Sequence, residues 1–308
     1  MRIGVIDLGS NTIRLVVFNW DGKKLEKKHN IKRQAQSVKY VQNAQMSQIG
    51  LDQIVTHLKE LMVIARAYAI DDLKIFATAS LRNIENSNEA KSYIENQIDM
   101  KIDILNGNQE SLYGFDGMCR ILDLPIEGLS VDIGGGSTEI TYFKNEKAIH
   151  SISIPLGSLN LYLNHVDNIL PSEGEQMLMR IDIRHQLDAI EWLKTIQVKT
   201  LIGIGGSSRA LMRLHQAKYE INTSIIDMRV SRDIIKNYAN LNGNEITNLT
   251  PLIVDILSDR LTTVIPGIII LHEIMKLIQA EEFMLSPYGV REGYIFNRIL
   301  SPLYERSL

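Results

Sequence analysis

Val131-Asp132-Ile133-Gly134-Gly135-Gly136-Ser137-Thr138-Glu139 decides the reading of this chain, because Val5-Ile6-Asp7-Leu8-Gly9-Ser10-Asn11-Thr12 repeats its plan. Each stretch is a short apolar strand ending in an Asp, followed by a Gly- and Ser-rich turn. A second β-rich run comes next, Arg14 to Phe18 in one copy and Ile140 to Phe143 in the other. Two such units predict two similar half-domains that share a polyphosphate ligand.

The chemistry of the turns supports that expectation. A glycine-rich turn after a strand exposes several backbone N–H groups to one anion, and glycine permits the closest approach. Gly134, Gly135 and Gly136 would form the cradle, with Ser137 and Thr138 adding hydroxyl donors. In the first copy Asn11 would serve as a neutral donor. Asp132 repels phosphate, so an acid beside the cradle makes sense with a hard divalent cation between them, Mg²⁺ being the usual one. Glu139, beyond the glycines, could complete an oxygen-ligand set. The competing reading of either stretch is a tight glycine hairpin capped by a buried Asp. A third cluster, Gly203-Ile204-Gly205-Gly206-Ser207-Ser208-Arg209, follows a predicted strand and opens a helix. Helix N-termini favour anions, so Gly205, Gly206 and Ser207 join the candidates.

Around these turns, strands are predicted at 3–7, 14–18, 74–78, 102–105, 129–133, 140–143, 149–154 and 200–204. Helical patterns at 47–68, 88–97, 109–122, 172–196, 207–216, 231–241 and 268–279 separate them. The alternation is that of an α/β protein with largely parallel central strands. Asp123-Leu124-Pro125-Ile126-Glu127-Gly128 is the expected boundary. It would separate domain I (1–124) from domain II (125–308), with the C-terminal helix able to return to domain I.

Bulk properties exclude several classes. The 308 residues are 45% hydrophobic and 22% charged, ordinary for a globular protein. Net charge is 33 − 36 = −3, which argues against a nucleic-acid polymer as partner and requires a local site for any anion. One cysteine, Cys119, allows no intramolecular disulfide and no thiolate zinc cluster. His272-Glu273 lacks the second His of a zinc-protease helix. The N-terminus runs straight into a strand and no apolar run reaches membrane-spanning length, so a cytoplasmic protein without membrane contact is expected.

The set of glycine turns resembles the sugar kinase/Hsp70/actin superfamily, and within it the Ppx/GppA (exopolyphosphatase/guanosine pentaphosphatase) family. Five stretches carry the resemblance: Asp7–Asn11; Ala77-Thr78-Ala79-Ser80-Leu81-Arg82; Gly107-Asn108-Gln109-Glu110; Asp132–Glu139; and Ser286-Pro287-Tyr288-Gly289-Val290-Arg291-Glu292-Gly293. It implies two actin-like (ribonuclease H-like) α/β domains flanking an interdomain cleft. It also implies hydrolysis of the terminal phosphoanhydride bond of inorganic polyphosphate, or of guanosine pentaphosphate (pppGpp), with Mg²⁺. By the same resemblance Glu110 is the general base, Asp132 and Glu139 hold the metal, and Arg82 grips phosphate. Arg14 and Arg260 would face the cleft and bind the anionic chain, a structural ion pair being the alternative for each. Glu110 also fits an acidic first-turn residue favoured by the helix dipole.

The chain departs from the family where Gln109 replaces the first of two adjacent acids and Leu112 a basic residue. Longer relatives carry a further helical region after the core domains, so a preference for short polyphosphates or a nucleotide is expected. A superfamily kinase would need a carboxylate near the acceptor hydroxyl, and no motif supplies one. A non-catalytic actin-like or alarmone-binding protein is the remaining alternative, and a homodimer stays open.

Overall fold

The first predicted strand is β1 (Arg2–Leu8), which returns through Gly9–Thr12 into β2 (Thr12–Trp20) and then β3 (Leu25–Gln34). The computed structural model describes residues 1–301. A small hairpin, β4 (Val41–Gln42) with β5 (Gln45–Met46), precedes the helix Gln48–Ala67. Ser47 caps that helix, its side chain accepting from the Gly50 N–H. β6 (Asp72–Ala77), the helix Ser87–Ile98 and β7 (Ile102–Ile104) follow. The strand order is β3-β2-β1-β6-β7. β1, β2 and β3 run antiparallel, and β6 and β7 add on in parallel. Ile6, Leu15, Ile54, Leu58, Leu61, Ile75 and Ile94 belong to one buried cluster.

The same order recurs later. β8 (Glu127–Ile133), β9 (Thr138–Lys144) and β10 (Lys147–Ile154) form an antiparallel meander. β11 (Thr200–Ile204) and β13 (Glu282–Leu285) extend it in parallel, and β12 (Arg229–Ser231) closes the edge antiparallel to β13. The order β10-β9-β8-β11-β13 matches β3-β2-β1-β6-β7 strand for strand. Each sheet is the expected α/β layer, but mixed: β1 and β8 pair in parallel on one side and antiparallel with their hairpin partners on the other.

Helices cover the second sheet. The run Val264–Leu277 is apolar almost all round, and every residue from Val264 to Met275 is buried, as such a helix requires. The expected single helix over 172–196 is two, Glu173–Asp188 and Glu191–Lys194. Ile190 breaks it by adopting an extended conformation (φ −98°, ψ 92°), and its side chain is buried in the core.

The chain forms two compact units that divide between Glu110 and Ser111, inside the helix Gly107–Cys119 and ahead of the Pro125 turn. The division falls there because Phe115 and Met118 already pack with Phe143, Ile202 and Ile204. Tyr113 and Gly117 fit against Gly293 and Gly289, where a Cβ on Gly117 or Gly293 would overlap backbone atoms. Asn297 adds a 2.9 Å hydrogen bond to Asp116. Two glycines of the Ser286–Gly293 stretch are therefore packing positions.

Candidate functional site

Within the second unit, the turn between β8 and β9 is held by the helix Ser158–His165. The Ser158 N–H donates to Gly134 O at 2.9 Å, and the Leu159 and Asn160 N–H groups to Gly135 O at 3.0 and 3.1 Å. Asn160 Nδ2 reaches Gly136 O at 3.5 Å. A trans peptide points its N–H opposite its C=O, so these bonds turn the N–H groups of Gly135, Gly136 and Ser137 away from the helix. Those three N–H groups make no hydrogen bond among the described residues. Three successive free donors in one turn are able to cradle an anion. The helix N-terminus, often an anion site itself, here spends its donors on shaping the turn.

Hydroxyls divide differently from expectation. Thr138 is fully buried and its Oγ1 donates to Leu156 O at 2.5 Å, so its proton is committed to the fold. Ser207 Oγ likewise donates to Ile133 O at 2.8 Å, tying the third glycine turn to the second. The Thr138 hydroxyl thus has no proton left for phosphate, which corrects its place as a hydroxyl donor, whereas Ser207, a candidate through the helix N-terminus, commits only its side chain. Ser137 Oγ makes no hydrogen bond among the described residues.

The register reveals what distinguishes the two copies. Gly9 N–H bonds Thr12 O at 3.2 Å and Gly134 N–H bonds Ser137 O at 2.9 Å, the same closure in each turn. Asp7 faces Arg14 across β1–β2, whereas Asp132 faces Glu139 across β8–β9. Direct partners of an antiparallel pair hold their side chains on one face, about 5 Å apart at Cβ. The first copy thus balances its acid with a cation. The second sets two carboxylates side by side, Glu139 buried and accepting from Ser153 Oγ at 2.6 Å. In the first turn Asn11 is buried, and its Oδ1 has no hydrogen-bond partner among the described residues.

The third glycine turn closes on the acid pair. Gly205 adopts φ +75°, a left-handed conformation, and a Cβ there would overlap Asp132 Oδ1. A Cβ on Gly206 would overlap the Arg260 guanidinium. Asp132, Gly205, Gly206 and Arg260 are therefore in one place. Arg209 and Arg291, both partly buried, join them. Desolvation and the mutual repulsion of Arg209, Arg260 and Arg291 push Arg209 and Arg260 below the ordinary guanidinium value, with Asp132 opposing. A gathering of partly dehydrated like charges is relieved by an anion. The sequence signal for Arg209 and Arg291 was present, since Arg209 ends one glycine-rich stretch and Arg291 lies within another, but neither stands among the expected site residues.

In the first unit the structure joins two candidates that the sequence separates. Arg82 ends the short helix Ala79–Arg82, and its Nη1 lies 2.5 Å from Glu110 Oε2 and 3.1 Å from Leu105 O. Both side chains are largely buried. Glu110 sits in the first turn of Gly107–Cys119. Asn106 caps that helix: its Oδ1 accepts from the Gln109 N–H at 2.9 Å, while Gln109 Oε1 accepts from the Asn106 N–H at 3.0 Å. Gln109 thus fills the role an acid would have in a capping box.

The acid pair fits a hard dication. Among the described residues no three acidic, His or Cys side chains gather into a self-sufficient metal cage. Mg²⁺ does not need one, since it commonly takes one or two carboxylates together with phosphate oxygens and water. Cys119 is no competitor for chemistry here, because burial pushes its thiol up to about 12. No helix among the described residues is long and apolar enough to cross a membrane.

Comparison with known proteins places these features in a family. Residues 20–302 match the Ppx/GppA phosphatase family. Exopolyphosphatase 1 of Mycobacterium tuberculosis is 24% identical over 97% of this chain and 88% of its own. The crystal structure of an exopolyphosphatase from Cytophaga hutchinsonii superposes with a TM-score of 0.84 at 19% identity, over 98% of both chains. The Ppx/GppA family member of Aquifex aeolicus gives 0.76 at 21% identity, again over 98% of both. This chain belongs to the Ppx/GppA phosphatase family, and is accordingly an enzyme of the hydrolase class with that family's fold.

Proposed function

We propose that this enzyme is an exopolyphosphatase, which hydrolyses the terminal phosphoanhydride bond of inorganic polyphosphate and releases orthophosphate. The observation that carries the reading is the turn Gly134–Ser137, with three unbonded N–H groups beside the acid pair Asp132 and Glu139. A neutral or monoanionic ligand would not need the Arg209–Arg260–Arg291 cluster next to that turn. The names of the similar mycobacterial and Cytophaga proteins support the choice of polyphosphate.

In this reading the N–H groups of Gly135, Gly136 and Ser137 donate to the terminal phosphate, with the Ser137 hydroxyl as a further donor. Arg260, Arg209 and Arg291 bind oxygens further along the chain, and Asn11 and Arg14 contribute from the first copy. Bound by Asp132 and Glu139, Mg²⁺ would supply charge neutralisation on the phosphate oxygens. Glu110 orients a water and takes its proton as the P–O bond to that water forms, while the bridging P–O bond breaks and the shortened polyphosphate leaves with the bridging oxygen. Arg82 fixes the Glu110 carboxylate and supplies positive charge beside it.

The metal assignment has its own test. Asp132→Asn keeps the shape of the side chain against Gly205 and removes one anionic ligand. It should raise the Mg²⁺ concentration needed for half-maximal phosphate release by at least about tenfold. An unchanged titration would remove Asp132 from the metal site.

A further inference from the structure

A second cationic feature of the second unit uses none of these residues. The helices Glu173–Asp188, Arg232–Ala239 and Val264–Leu277 enclose a pocket of about 500 Å³. Five cations line it: Arg180, Arg184, Arg232, Lys236 and Lys276. Asp233 and Glu273 are its two acids, so its net charge is 5 − 2 = +3 in a chain whose total is −3.

Two of the five cations share one buried acid, and the other three do not pair with a carboxylate among the described residues. Glu273 is buried and engages Arg184 at 2.7 and 3.3 Å and Arg180 at 3.5 Å. Burial opposes its charge, yet His272 and Arg184 hold the carboxyl down at about 2. Arg180 is further anchored on the Ala239 and Gln176 carbonyls and on Asn240 Oδ1. Arg232, Lys236 and Lys276 make no ion pair with a carboxylate among the described residues. Arg184 keeps three of its five N–H groups after bonding Glu273.

We propose that this pocket is a second anion site, which binds a compact inorganic condensed phosphate independently of the glycine turns. Its volume suits a small ligand. Guanidinium groups match phosphate oxygens in pairs. The lining side chains are polar or charged and the one ring among them, His272, is itself buried, so the pocket presents mainly charge, and little ring surface, to a ligand. That favours an inorganic chain over a nucleotide.

Titration of the full-length protein with inorganic tripolyphosphate in EDTA, read by calorimetry and hydrogen exchange, tests the site. Tripolyphosphate should protect the helices 232–239 and 264–277. The double variant Lys236→Gln/Lys276→Gln, in which both replaced side chains are exposed, should weaken that binding about tenfold. Unchanged affinity in the double variant overturns the proposal, as does a lack of protection in those helices at millimolar tripolyphosphate. Guanosine diphosphate binding there more tightly than tripolyphosphate would overturn the inorganic assignment. Protection confined to 132–139 and 203–209 would sink this site and leave the hydrolase reading intact. Protection at the pocket in a protein that releases no phosphate from polyphosphate would do the reverse.

Discussion

Glu110→Gln should lower kcat for phosphate release by about 10²- to 10⁴-fold, the range a positioned general base supplies, while substrate affinity stays near that of the unaltered enzyme. The substitution is nearly isosteric. The amide oxygen can still accept from Arg82 Nη1, now 2.5 Å from Glu110 Oε2, and the Asn106–Gln109 cap is untouched. Structure and binding should therefore be kept while the proposed proton acceptor is lost. Stopped-flow phosphate release together with equilibrium binding under non-turnover conditions separates the two. Turnover like that of the unaltered enzyme would remove Glu110 from the mechanism. Arg82→Ala gives a companion result. If Arg82 positions the base, kcat falls; if it only grips phosphate, KM rises with kcat unchanged. The ion pair predicts the first.

Gly157→Ala should cost the enzyme at least about a hundredfold in kcat/KM, because the substitution strikes the cradle from behind. Gly157 is buried with an unstrained backbone (φ −123°, ψ 153°), so alanine is conformationally acceptable. Space is what forbids it. A Cβ would overlap Gly135 O, Gly135 C and Gly136 N, all backbone atoms of the turn. The turn must shift, and with it the three N–H groups. Overpacking of this kind costs about 1–3 kcal/mol of stability, so the thermal midpoint should fall as well. Gly174→Ala is the control: a Cβ there meets open space on a helix, so kcat/KM should be unchanged and the thermal midpoint should not fall. Full activity in a folded Gly157→Ala protein would show that the geometry of this turn does not govern binding.

The parts of the fold legible in the sequence are those where one residue type has one physical use. The glycine turns, their strands and the α/β alternation were of that kind, and Thr200–Ile204 emerges with the predicted ends. β3, Leu-Glu-Lys-Lys-His-Asn-Ile-Lys-Arg-Gln, escaped because it is an outer strand with most side chains exposed and no alternation to read. The helix Gly243–Leu257 escaped because Pro251 lies inside it and its first half is polar, although Asn242 and Glu245 form a capping box.

At the site, chemistry was readable but pairing was not. The equivalence of Arg14 and Glu139 needs the register of two hairpins. Arg82 and Glu110 are 28 residues apart and meet only through the order of β6 and β7. Gly157 looks ordinary in sequence, because its meaning lies in a turn formed 20 residues earlier. The hydroxyl of Thr138 was misread for the opposite reason: a hydroxyl beside glycines suggests a ligand, while a backbone carbonyl was the nearer acceptor.

The central claim is that the Gly134–Ser137 cradle, the acid pair and Glu110 serve hydrolysis of the end of an inorganic polyphosphate chain. Orthophosphate release from polyphosphates of several defined lengths, measured beside pppGpp with Mg²⁺ and no acceptor, tests it most directly. The account predicts release from polyphosphate with kcat/KM above that for pppGpp. Release from pppGpp alone, or none without an added acceptor, would contradict it.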